Sequence, residues 1–126
     1  MRLQDQVAII TGAAGAGIGQ TTARRFAQEG AHIVISDTHP RRTEEVAQAI
    51  ASEYGVKTLG MVCDVTARDQ VDALVQQTME ALGRVDILVN NAGRNILAPV
   101  AEMTDEQWDT VINVCLKGRS TVAGRC

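Results

Sequence analysis

Four short, mostly apolar runs alternate with segments of helical period, and that alternation limits the fold more than any other feature of the chain. Val7-Ala8-Ile9-Ile10, His32-Ile33-Val34-Ile35-Ser36, Leu59-Gly60-Met61-Val62-Cys63 and Val85-Asp86-Ile87-Leu88-Val89 read as strands. A run without polar alternation suits a strand covered on both faces, which is the condition of a parallel sheet. Between the runs, apolar residues recur at helical spacing. The stripes are Ala23, Phe26 and Ala27; Val46 and Ile50; Val71, Leu74, Val75 and Leu82; and Trp108, Val111, Ile112 and Cys115. Gly30, Gly55 and Gly83 stand where the first three helices should stop in a left-handed residue. Pro40 suits a first helical turn, and Thr104 with Gln107 predicts a capping box, followed by Asp105 and Glu106 at the positive helix end. The order β-α-β-α-β-α-β-α, with right-handed crossovers, is an α/β layer fold.

Composition removes several function classes. The 126 residues carry 12 Lys+Arg against 15 Asp+Glu, a net charge of −3, and 45% are hydrophobic, which suits one small domain with an ordinary core. No basic block is present, so neither nucleic acid nor an anionic membrane is an expected partner. No apolar stretch approaches the ~20 residues of a bilayer span. The amino terminus carries Asp5 and runs straight into a strand, so we expect no signal peptide and a cytoplasmic protein. Cys63, Cys115 and Cys126 are widely spaced and odd in number, which predicts neither a zinc site nor a disulfide framework. His32 and His39 lack a second ligand at metal spacing, and Ser120 lacks a histidine–acid pair; no metal is expected.

The chemistry is concentrated in Thr11-Gly12-Ala13-Ala14-Gly15-Ala16-Gly17-Ile18-Gly19, which follows the first strand and opens the first helix. Glycines at such a turn let backbone approach a pyrophosphate, and the helix amino terminus offers N–H donors and a positive dipole. Asp37 ends the second strand eighteen residues after Gly19, where a carboxylate can accept both hydroxyls of an adenosine ribose.

These residues, with Asp64-Val65, Asn90-Asn91-Ala92-Gly93 and the block Trp108-Asp109 to Leu116-Lys117-Gly118, resemble the short-chain dehydrogenase/reductase family in order and placement. The resemblance reaches Gly118 and covers about the first half of a typical member. It implies a Rossmann-type parallel sheet of about four strands, order 3-2-1-4, with flanking helices. Residues 1–118 would be a dinucleotide-binding half-domain and 119–126 a truncated tail. By resemblance, Gly12, Gly17, Ile18 and Gly19 form the pyrophosphate loop, with Thr11 steadying the turn. Asp37 corresponds to the acid of NAD-preferring members, and Asp64 and Val65 to the pair at the adenine. Asn90 corresponds to the residue tying neighbouring strands, while Asn91, Ala92 and Gly93 run along the cofactor.

Two departures accompany the resemblance. The family loop has three residues between its first two glycines, whereas Ala13 to Ala16 make four, so Gly15 is expected to share the phosphate role. The asparagine of the family's catalytic tetrad falls on Cys115 rather than Asn113, and Cys115 is expected to be a small apolar core residue. The family's serine and Tyr-x-x-x-Lys have no counterpart in the chain, because Tyr54 and Lys57 are three apart and follow the second helix. We therefore expect no catalytic residue here.

The implied function is NAD(P)-dependent hydride transfer between a nicotinamide cofactor and a secondary alcohol or ketone, with that substrate requiring the missing half. NAD is favoured over NADP, although Arg41 or Arg42 stands within reach of a 2′-phosphate. The alternatives are a non-catalytic NAD-binding module or inactive fragment, and an S-adenosylmethionine methyltransferase, against which Asp64-Val65 and Asn90–Gly93 both speak. An exposed fourth strand would invite pairing with another chain, a homo-oligomer included.

Overall fold

The computed structural model describes residues 1–93, 100–118 and 123–124. Most of the 119–126 tail, with Ser120 and Cys126, lies outside the described residues. The elements are β1 (Val7–Thr11), α1 (Ile18–Gln28), β2 (His32–Asp37), α2 (Pro40–Tyr54), β3 (Thr58–Val62), α3 (Arg68–Leu82), β4 (Ile87–Val89), a 3₁₀ turn (Val100–Glu102), α4 (Asp105–Ile112) and a π-helical turn (Asn113–Lys117). All four strands are parallel, in the order β3-β2-β1-β4. This is the parallel sheet that the alternation predicts, in the Rossmann-type order that the resemblance implies.

The central strands carry the core on both faces. Ala8, Ile10, Ile33 and Ile35 pack with Ala23 and Ala27 of α1 and Ile50 of α2. Val7, Ile9 and Val34 point the other way, onto Val71 and Leu74 of α3 and onto Cys63 and Val65. Successive strand residues face opposite sides, so an unbroken apolar run is required wherever both sides are covered.

The outer strands depart from the expectation. β3 and β4 are only half-buried, and Val62 is 45% exposed. The expected fourth strand Val85–Val89 narrows to Ile87–Val89, because the Asp86 carboxylate takes the Val7 N–H (2.8 Å) that a strand carbonyl would otherwise accept. Helix ends follow the sequence signals. Gly30, Gly55 and Gly83 have positive φ, Pro40 opens α2, and Thr104 and Gln107 form a reciprocal capping box. The expected α4 stripe does not hold: Trp108 is 59% exposed, and the helix widens into the π-helical turn, where Gly118 N–H reaches back to Asn113 O. A five-residue hydrogen-bond step rotates the following side chains off the 3.6-residue stripe. Among the described residues, no helix is long and apolar enough to cross a membrane.

Candidate dinucleotide site

The chain reverses its winding between β1 and β4, and the crevice beyond the carboxyl ends of the strands is where such sheets place ligands. Here it holds a cavity of about 350 Å³, lined by Gly12, Asp37, Asp64, Val65, Asn91, Ala92 and Gly93, together with Thr38, Cys63 and Val114. The first seven were singled out from the sequence. Thr38 and Cys63 adjoin the ends of β2 and β3, so strand-end position was the signal available for them. Val114 falls in the Trp108–Gly118 block that carries the resemblance, which gave it no role, and it sits on the π-helical turn.

Thr11 is the knot at the β1–β4 junction. Its hydroxyl is buried, accepts N–H bonds from Asn91 and Ala92 (both 3.1 Å) and donates to Val89 O (3.4 Å). Asn91 adds a side-chain bond from Nδ2 to Gly12 O (3.0 Å), and Gly19 at the start of α1 lies against the same amide. Asn91 thus ties the end of β4 to the glycine-rich turn, which is not the strand-to-strand tie that the resemblance implies for Asn90. Asn90 Oδ1 is buried without a hydrogen-bond partner among the described residues. Gly12 has φ +65°, and a Cβ there would stand 2.7 Å from Ala92 Cα, so both conformation and space require glycine.

Gly15, Gly17 and Ile18 stand apart from the cavity lining. Among the described residues, nothing lies within 4 Å of a Cβ placed on Gly15 or Gly17 and no side chain caps the amino end of α1, while Ile18 is 80% exposed. The first N–H groups of a helix have no partner within it, so this end of α1 keeps backbone donors beside the open glycines. The loop apex is closed by Gly17 N–H and Gln20 Nε2, both donating to Gly15 O.

Two carboxylates face the crevice. Asp37 accepts Ala14 N–H on Oδ2 (3.0 Å) and Thr38 N–H (2.7 Å) with a long contact from the Thr38 hydroxyl (3.5 Å) on Oδ1, so Oδ2 keeps a lone pair for a hydroxyl donor and Oδ1 gains one when that long contact turns away. Asp64 is turned into its own β3–α3 connection, where Oδ1 accepts the N–H and hydroxyl of Thr66. Burial and the neighbouring Asp64 charge push the Cys63 thiol up to about 11, so it stays protonated and is a poor nucleophile.

The remaining candidates lie elsewhere. Cys115 is half-buried, with Sγ 3.7 Å from where a Gly93 Cβ would be, so it sits beside the cavity rather than within the core. Tyr54 closes α2 and packs on the α1–α2 core, and Lys57 N–H donates to His32 Nδ1. Arg41 is paired with Glu45 (3.0 Å), and Arg24 with Glu53. Among the described residues no group of three or more His, Cys, Asp or Glu could hold a metal ion.

Known proteins share both sequence and geometry with this chain. The pattern of the short chain dehydrogenase family matches residues 6–124. A (5R,7aS)-5-hydroxy-7a-methyl-1-oxo-2,3,5,6,7,7a-hexahydro-1H-indene-carboxyl-CoA reductase of Mycobacterium tuberculosis is 49% identical over 90% of this chain and 44% of its own length. A short chain dehydrogenase from Mycobacterium smegmatis superposes with a TM-score of 0.95 at 48% identity, over 98% of this chain and 52% of that one. An NAD+-bound xylitol dehydrogenase gives 0.93 at 31% identity, over 99% and 48%. The chain spans about half the length of the relatives it matches.

Proposed function

The chain belongs to the short-chain dehydrogenase family, and on that premise we propose that residues 1–118 are the dinucleotide-binding half-domain of an oxidoreductase that prefers NAD to NADP. Asp37 carries the reading. Its carboxylate borders the crevice with acceptor capacity to spare, which suits the two hydroxyls of an adenosine ribose and repels a 2′-phosphate. Gly12, Gly15, Gly17, Ile18 and Gly19 would hold the pyrophosphate at the uncapped end of α1. Val65 and Asp64 would flank the adenine, and Asn91, Ala92 and Gly93 would run beneath the nicotinamide half. When bound, the cofactor supplies or accepts the hydride.

Acid–base chemistry is assigned to no residue of this chain. Tyr54 is committed to the end of α2, and Cys63 holds its proton. Oxidation of a secondary alcohol, or reduction of a ketone, is proposed for a protein that also supplies the family's serine and Tyr-x-x-x-Lys.

Fluorescence titration of the chain with NADH and NADPH tests the reading. A charge–charge repulsion of a few kcal/mol at most in a half-exposed site predicts NADH tighter by about tenfold or more, without turnover of an alcohol panel. Equal or tighter NADPH binding would refute the preference. Failure to bind either would refute the half-domain as a binding unit.

A further inference from the structure

The glycine-rich loop is one residue longer than the family spacing, yet only its two ends are explained by the β1–β4 junction and the start of α1. Its middle is fixed from β2. Ala13 N–H donates to Ser36 O (3.2 Å), and Ala14 N–H donates to Asp37 Oδ2 (3.0 Å). Ala13 and Ala14 are buried, so these two bonds set the path on which the open apex, Gly15 to Gly17, is carried. The Asp37 carboxylate is itself held in place by Thr38, whose N–H (2.7 Å) and hydroxyl (3.5 Å) both point at Oδ1.

We propose that Asp37 is a positioning residue for the pyrophosphate loop as well as the acceptor for the ribose, so that one carboxylate couples the two halves of the nucleotide site. The coupling rests on the nucleotide-site reading above, whereas the positioning of Ala14 does not. A hydrogen bond to an ionised acceptor is stronger than one between neutral groups, and Ala14 has a backbone donor with no turn partner of its own. Asp37→Ala should therefore release the loop before any ligand is present. Ligands that never touch Asp37 should then bind less well.

Residue-resolved amide hydrogen exchange on the cofactor-free chain is the first arm. Asp37→Ala is expected to speed exchange at Ala14 by about tenfold or more, with Ile9 in β1 unchanged as the control for an intact sheet. Unchanged exchange at Ala14 would overturn the proposal. Should the variant disturb Ile9 as well, Asp37→Asn decides, since it keeps the shape of the side chain and removes its charge. Faster exchange at Ala14 with Ile9 at its wild-type rate supports the positioning role, and an unchanged rate at Ala14 overturns it.

The second arm compares ADP-ribose with its 2′,3′-dideoxyadenosine counterpart. If Asp37 acts only on ribose hydroxyls, Asp37→Ala leaves the dideoxy probe unaffected, and the coupling fails. If it also holds the loop, the dideoxy probe weakens several-fold. A wild-type chain that binds neither probe refutes the nucleotide-site reading and with it the coupling, while the exchange at Ala14 still decides the positioning role.

Discussion

Gly12 and Gly55 turn the backbone through nearly the same left-handed conformation, at φ +65° and +69°, but their surroundings differ. At Gly55 a Cβ meets nothing within 4 Å, so Gly55→Ala carries only the conformational cost, about 1–2 kcal/mol. At Gly12 the same methyl would stand 2.7 Å from Ala92 Cα, a backbone atom held by the Thr11 hydroxyl through the Ala92 N–H. Overpacking of that kind adds about 1–3 kcal/mol, so urea melts should show Gly12→Ala clearly less stable than Gly55→Ala. Equal losses would mean that the two strand ends can part. Only the left-handed helix stop at Gly55 was legible from the residues around it; the approach of Ala92 joins positions eighty residues apart.

At the scale of the elements, β4 is tied to β1 by a charge at its entrance as well as by its short ladder. Asp86 accepts Val7 N–H (2.8 Å) on one oxygen and Arg84 Nη2 (2.7 Å) on the other. The Arg84 bond, then the Val7 bond, hold the Asp86 carboxyl below the ordinary carboxylate range. A carboxylate with a lowered folded-state pKa stabilises the fold fully above its unfolded value, and the contribution is lost as pH falls through the folded value. Asp86→Asn should therefore be less stable than wild type at neutral pH, and the two should converge in acid as the wild-type carboxylate protonates. Thermal melts at stepped pH read this directly, and a constant gap down to low pH would contradict it. In the sequence Asp86 is one polar residue inside an apolar run, which is why the strand was expected to begin at Val85.

The whole molecule is two apolar layers on one sheet, and stability should divide accordingly between covered and uncovered positions. Leu74 is fully buried between α3 and the sheet, whereas Leu116 is 64% exposed on the π-helical turn. Leu74→Ala is expected to cost about 2–5 kcal/mol through lost transfer energy and a residual cavity. Leu116→Ala should stay within about 0.5 kcal/mol in the isolated chain. A comparable loss at Leu116 would show that the π-helical turn is covered in solution, with another chain as the first occupant to test by sedimentation.

Much of this architecture follows from the sequence by itself, because it is encoded within a few residues. Apolar runs without alternation place β1 and β2, periodic stripes place α1 to α3, and Gly30, Pro40, Gly55, Gly83 and Thr104 punctuate them through local backbone chemistry. Handedness rules give right-handed crossovers and a parallel sheet, while the strand order and the places of Asp64 and Asn91 beside Gly12 and Asp37 were foreseeable only through the family resemblance. Tertiary structure alone decided the division of labour between neighbours. Asn91 ties β4 to the loop, the Thr11 hydroxyl holds the junction, and Asp37 holds Ala14. It also left the outer strands half-covered and turned Val114, in place of the expected stripe, toward the cavity. The physical reason is common to all of these: each depends on which groups from distant parts of the chain compete for one donor, one acceptor or one apolar surface. That competition exists only once the sheet has brought them together.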